Sequence, residues 1–180
     1  MIIEAPLFTD RLMLRSLTKL DVTTRYLNWL LDKEITHYLE LRFSPDQTQE
    51  TLEKFVCAAN ESSDVLLLGI FTREGSRHIG NIKLGPVCRN HNRADLGFLI
   101  GEREAWGKGF ATEAIAAISH YAITGLRVAK LTAGCCASNQ GSARALEKAG
   151  FIQEARLPNH WSCGGVREDG LLFGMQSPST

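Results

Sequence analysis

The run Trp106-Gly107-Lys108-Gly109-Phe110-Ala111-Thr112-Glu113-Ala114 carries the strongest chemical signal in this chain. It follows an alternating apolar segment, residues 95–101, and opens an amphipathic helix. Glycines let the backbone approach a phosphate closely, and the first-turn N–H groups of a helix have no internal acceptors. The macrodipole adds partial positive charge at the same end. A glycine turn alone usually only redirects a chain. Here a second constellation accompanies it. After residues 131–135 come Ala137-Ser138-Asn139, then Ser142, Arg144, Leu146-Glu147-Lys148 and Gly150-Phe151.

These groups need a scaffold that brings them together. Residues 11–15 alternate and predict a first strand. Thr18-Lys19-Leu20-Asp21 reads as a capping box with Asp in the place of Glu or Gln, leading an apolar stripe of Leu20, Leu27, Leu30 and Leu31. Ser44-Pro45-Asp46-Gln47 predicts a second helix start, with Leu52, Phe55, Val56 and Ala59 on the inner face. Residues 65–71 and 77–84 predict two strands. A third follows in which Ala94, Leu96, Phe98 and Ile100 share one face and Asp95, Gly97 and Leu99 the other. The helix fed by the glycine turn presents Ala111, Ala114, Ile115, Ile118 and Ala122 inward and ends at Gly125. Residues 130–136 form a strand, a short helix closes at Gly150, and residues 151–156 and 170–175 supply the last two strands. The order β, helices, βββ, α, β, α, ββ predicts an α/β (α+β) fold, a mixed sheet with helices on both faces.

Twenty basic and twenty acidic side chains cancel, which argues against broad attraction to nucleic acid or an anionic membrane. The first residues lack a basic stretch followed by a long apolar core, and residues 65–70, the longest aliphatic run, are too short to cross a bilayer. Five cysteines without paired metal-ligand spacing predict reduced thiols, no metal site and a cytoplasmic protein. Cys135 and Cys136 read as small buried hydrophobes on opposite faces of one strand. At 180 residues, one domain is expected, with its core over about 9–175 and only the tail 177–180 frayed.

The two central constellations together resemble the GNAT superfamily of acyl-CoA-dependent N-acetyltransferases. The match is most similar to its RimJ/RimL-like (ribosomal-protein N-terminal acetyltransferase) branch, whose opening is matched by Arg11-Leu12-Met13-Leu14-Arg15-Ser16-Leu17 and Trp29-Leu30-Leu31-Asp32. The resemblance implies a mostly antiparallel sheet splayed in the middle, with acetyl-CoA as co-substrate entering the gap. It places Leu99, Ile100 and Gly101 against pantetheine. Trp106 would open the cofactor-binding turn, and Gly107, Lys108, Gly109, Phe110, Ala111 and Thr112 would meet the pyrophosphate. Asn139 would hold the pantetheine arm, and Arg144 would lie near the adenosine. Two departures stand out: Trp106 replaces the usual Gln or Arg, and Leu146 replaces the tyrosine that many members use to protonate the leaving thiolate. Ser142, one turn earlier, is the implied proton donor.

An amine must lose a proton before it can attack a thioester, and a base must take it. Asp95 is the candidate. A free strand N–H near Leu99 or Ile100 would serve the oxyanion. Glu113 reads as a first-turn carboxylate favoured by the macrodipole, and His120 as a packing residue. His78, His91 and His160, with Trp29, Tyr38 and Trp161, are candidates to border the acceptor pocket. Arg42, Arg77, Arg89 and Arg93 leave room for an anionic acceptor. The expected reaction is therefore acetyl transfer from acetyl-CoA to a primary amine, the acceptor being a small amine or an amino sugar, free or nucleotide-linked. A protein N-terminus is the alternative acceptor, and a non-catalytic acyl-CoA sensor the alternative class. The assembly expected is a monomer or homodimer.

Overall fold

In chain order the computed structural model runs β1 (Leu7–Phe8), β2 (Leu12–Ser16), α1 (Thr24–Leu31), α2 (Lys33–Thr36), α3 (Gln49–Glu61), β3 (Leu66–Thr72), β4 (His78–Cys88), β5 (Arg93–Ile100), α4 (Phe110–Thr124), β6 (Lys130–Cys136), α5 (Gln140–Lys148), β7 (Ile152–Cys163) and β8 (Val166–Gln176). The structure describes residues 1–44, 46–163 and 165–177. One eight-stranded sheet has the order β1-β2-β3-β4-β5-β6-β8-β7. Its pairs are antiparallel except β5 with β6. Parallel neighbours need a crossover, and α4 supplies it. Consequently the carboxyl ends of β5 and β6, and the N-termini of α4 and α5 that follow them, share one end of the sheet.

Apolar side chains are buried on both faces. One core gathers Leu68, Ile70, Ile82, Leu84 and Leu96 of the sheet with Ile115, Ile118 and Leu146 of α4 and α5. The other packs Tyr26, Trp29, Leu52 and Val56 of α1 and α3 against Leu67 and Phe71 of β3. Strand β3 feeds both cores, which is why its sequence is a continuous apolar run rather than an alternation.

The early helices depart from expectation. Leu20 and Leu31 are exposed, and the buried face of α1 is Tyr26 and Trp29. Aromatic bulk, not leucine, fills this core. Asp21 does accept from the Thr18 N–H at 2.8 Å, but the box opens a single 3-10 turn over Lys19–Asp21. Helix α3 starts at Gln49 behind a Thr48 cap, four residues after the Ser44 start read from sequence. Thr51 closes that box by accepting from the Thr48 N–H at 2.9 Å. Pro45 lies outside the described residues, and so does most of the tail, residues 178–180. Leu52, Val56 and Ala59 face inward, whereas Phe55 is exposed. Gly125 caps α4 in right-handed geometry (φ −87°), and Arg127 takes the positive φ that follows.

Candidate active site

Strands β5 and β6 stay paired only at Arg93 with Lys130, Ala94 with Leu131 and Asp95 with Thr132. Beyond that point β5 runs on with β4 to Ile100, while β6 runs on with β8 to Cys136. A gap opens between them. Gly101 donates its N–H to the Ile79 carbonyl at 2.9 Å, so strand alternation turns the Leu99 backbone toward β4. The backbone groups of Phe98 and Ile100 therefore face the gap.

A cleft of about 760 Å³ occupies this gap. Phe98, Leu99 and Ile100 form its floor, and the glycine turn with Phe110, Ala111 and Thr112 one wall. Ser138, Asn139, Ser142, Arg144 and Lys148 form a second wall. On the opposite face of the sheet, Glu34, Ile35, His37, Tyr38 and Leu39 close the far end. The gap thus passes through the sheet and joins the α4/α5 side to the α1/α2 side.

The glycine turn is shaped for an anion. Gly107 and Gly109 both take left-handed backbone, φ +72° and +81°. Gly109 is the N-cap of α4, and no side chain caps this helix. Trp106 lies at the entrance with its indole N–H donated to the Ile100 carbonyl at 2.8 Å. The unusual residue at this position thus ties the turn to the end of β5 and engages a gap-facing carbonyl, leaving the Ile100 N–H as the nearby donor.

Arg11 clamps the same turn from outside. Its guanidinium donates to the Lys108 carbonyl at 2.9 Å, pairs with Glu113 at 2.6 Å and lies over the Phe110 ring at 4.5 Å. Glu113 also accepts from the Thr9 hydroxyl at 2.5 Å and the Arg11 N–H at 2.9 Å. Burial by itself would raise the Glu113 pKa, but the bonds from Thr9 and Arg11 outweigh it and hold the carboxyl below the usual carboxylate range. A depressed carboxyl stabilises the fold above its unfolded pKa, and that contribution is lost as pH falls through the folded value. Replacement Glu113→Gln should therefore cost about 1–2 kcal/mol at neutral pH, with the difference from wild type vanishing in acid. Thermal melts from pH 7 downward check it; a constant difference across that range would rule out the charged bonds as its source.

Asn139 is the N-cap of α5, its Oδ1 accepting from the Ser142 N–H at 3.1 Å. That leaves the Asn139 amide N–H₂ to address a ligand. Ser142 is half-buried in the cleft wall. Leu146 is wholly buried in the core and contributes nothing to the cleft.

Other expected residues lie elsewhere. Asp95 sits at the closed end of β5, held by Arg93 at 3.2 Å and by the Thr132 hydroxyl. Four residues of strand, roughly 13 Å, separate it from Leu99. It does not line the cleft, and neither do Lys108 and Gly101. Gly101 is a packing glycine: a Cβ there would lie 2.0 Å from the Trp29 ring. Trp29 is buried, with its indole N–H donated to Glu102 at 3.0 Å. His78 is buried too, stacked on Phe71 at 4.6 Å with its Nε2 2.9 Å from the Asn81 side-chain Oδ1, and burial lowers its pKa. Of the six histidines and aromatics expected at the acceptor pocket, Tyr38 alone lines the cleft. The four arginines are also absent from it. Arg77 pairs with Glu102 and Glu104, Arg93 with Asp95, and Arg89 donates to the Ser63 carbonyl. Burial pushes the Cys135 thiol up to about 11 and Cys136 up to about 12, so neither competes as a nucleophile.

Sequence reasoning missed Lys148 as a cleft residue and, Tyr38 apart, the α2 wall. Lys148 stands one helical turn after Arg144, and that spacing could have found it. Nothing local marked Glu34, Ile35, His37 and Leu39, because a through-sheet gap places them there.

An open parallel switch point with two helix N-termini at its mouth is an anion-plus-arm site. Residues 11–152 match the family model described as an acetyltransferase (GNAT) domain. The chain belongs to this GNAT family of acetyltransferases. It is 30% identical to the uncharacterised N-acetyltransferase YoaA of Bacillus subtilis (strain 168) over 172 residues, 94% of this chain and 96% of that one. Among solved structures it resembles spermidine N-acetyltransferase from Vibrio cholerae in complex with CoA and spermine. The TM-score is 0.82 at 22% identity, over 94% of this chain and 97% of the other. It also resembles the ribosomal-protein-S5-alanine acetyltransferase from Vibrio fischeri, TM-score 0.81 at 14% identity, with 97% of each chain covered. At those identities the structural likeness shows the fold alone. The protein is thus an acetyl-CoA-dependent N-acetyltransferase, and no helix among the described residues is long and apolar enough to cross a membrane.

Proposed function

We propose that this GNAT enzyme acetylates the primary amine of a small molecule, using residues 9–175 as one domain in the reducing cytoplasm. The observation that carries this reading is the cleft itself. It runs from the capless N-terminus of α4, past Ser142, through the sheet to the α2 wall. The pyrophosphate rests on the amides of the glycine turn, with Arg144 and Lys148 supplying positive charge toward the adenosine end. Pantetheine pairs with the gap-facing backbone of Phe98 and receives the Asn139 amide N–H. The thioester carbonyl then lies near the free Ile100 N–H, which stabilises the oxyanion.

The α2 wall receives the amine. Its Tyr38, and Glu34, whose carboxylate is shared with Arg103 at 2.6 Å, suit a cationic or hydroxylated amine better than an anionic one. The arginines offered for a nucleotide-linked sugar are paired elsewhere, Arg42 with Glu40 at 3.8 Å, so an uncharged or cationic amine is favoured over that acceptor. His37 takes the place first given to Asp95, accepting the ammonium proton directly or through water. The neutral amine attacks the thioester carbonyl, its nitrogen then loses a second proton to water, the C–S bond breaks, and Ser142 protonates the departing thiolate and is reprotonated from that water.

Thiol release from acetyl-CoA across polyamines, amino sugars and N-terminal peptides tests the acceptor. Turnover confined to N-terminal peptides would replace this reading with the protein-acetylating one favoured by the RimJ/RimL-like opening. Ser142→Ala should lower kcat by about tenfold while leaving the KM for acetyl-CoA in place, because the hydroxyl acts only as the thiolate forms. A kcat equal to wild type would remove Ser142 from the mechanism.

A further inference from the structure

Cys136 closes β6, Cys163 closes β7 and Glu168 lies in β8, so three adjoining strands converge at one point. One ligand atom from each residue, two sulfurs and a carboxylate oxygen, lie within 4.8 Å of one another. The two cysteines are buried and the glutamate half-buried. Among the described residues no other set of three such side chains meets this way. The cluster does not line the acyl-CoA cleft, and the acetyl-transfer reading makes no use of it.

We propose that Cys136, Cys163 and Glu168 bind a thiophilic divalent cation of the zinc class, with water completing a tetrahedron. Two soft sulfurs and one oxygen at this separation match that geometry. The Ser138 N–H and hydroxyl both donate to the Glu168 carboxylate, fixing its orientation as outer partners of metal ligands do. Arg42 supplies a second, independent observation. Its guanidinium lies 4.0 Å from Cys163 Sγ, and its Nε is buried without a partner. A thiol is a poor second acceptor for the Arg42 Nη2, which also donates to the Ser162 carbonyl at 2.9 Å; a metal-bound thiolate is a strong one.

Charge closes as well. Each thiol releases its proton to solvent as its sulfur–metal bond forms, giving two thiolates beside one carboxylate. The divalent ion offsets two of those three negative charges, and the Arg42 guanidinium, shared with the exposed Glu40 carboxylate at 3.8 Å, faces the third. Linear spacing hid these ligands, because sheet order rather than sequence makes Cys136 and Cys163 neighbours. The ion would pin the turn at Ser138 and Asn139, which lines the cofactor cleft.

Cobalt(II) titration of the chelator-treated, phosphine-reduced protein tests the site. Wild type should develop thiolate-to-cobalt charge-transfer absorption with visible bands of tetrahedral cobalt, both displaced by zinc. Cys136→Ser and Cys163→Ser should each abolish them, and Cys57→Ser should not. Ser138→Ala and Glu168→Gln, which leave the buried packing intact, should each weaken binding by roughly tenfold or more. Zinc should raise the melting temperature of wild type and of neither cysteine variant. Wild type without the charge-transfer absorption would overturn the proposal. So would bands retained in both cysteine variants, or unchanged affinity in Glu168→Gln.

Discussion

Gly109→Val is expected to raise the KM for acetyl-CoA by at least about tenfold while leaving the fold in place. Gly109 holds φ +81°, a conformation that a β-branched residue adopts only at a cost of roughly 1–3 kcal/mol. The residue is exposed, and a Cβ there would meet only the end of the Arg11 side chain, at 3.5 Å. Crowding is therefore not the problem. Strain is. A valine would relax by turning the local backbone, and the first-turn amides of α4 would no longer converge on one phosphate. Tenfold corresponds to about 1.4 kcal/mol, inside the strain available. Steady-state kinetics with varied acetyl-CoA, beside Gly109→Ala as the milder case, measures it. An unchanged KM would mean that the turn does not hold the cofactor.

Gly101→Val should act on stability instead, and more severely. Its Cβ would sit 2.0 Å from Trp29 Cδ2 and 2.4 Å from two further ring atoms, on a side chain buried in the second core. The indole cannot simply move aside. It is 4.9 Å from the His78 ring and 5.6 Å from that of Tyr26, and its N–H is held by Glu102. Overpacking of this kind costs roughly 2–3 kcal/mol or more. That lowers the melting temperature by roughly 5–10 °C in a chain of this size. Differential scanning calorimetry reads it directly, and a melting temperature within a degree of wild type would show that Trp29 has room to move. The contrast between the two glycines is instructive. Both fall in one conspicuous stretch of sequence, yet one shapes the cofactor turn and the other makes room for a tryptophan.

The resemblance offered both as cofactor residues, and spacing alone could not tell them apart. The alternating apolar pattern of β5, by contrast, was fully legible: its two faces follow from a period of two. The helix after the glycine turn was equally plain, because Ala114, Ile115, Ile118 and Ala122 mark its buried stripe. Less legible was α1. Leucines suggested one face, but aromatic side chains bury more area per residue and took the core instead.

Local sequence determined the phosphate turn, the strand that leads to it, and the cap that Asn139 places on α5. Each depends on residues within a few positions, where backbone freedom and periodicity decide the outcome. Tertiary structure alone decided that β5 and β6 part after Asp95 and Thr132, that the α2 wall reaches the same cleft, and that Asp95 stays at the closed end. It also brought Cys136, Cys163 and Glu168 together. Those relations are set by which strands lie side by side, and strand order is fixed by burial across the whole sheet rather than by any segment's own preferences.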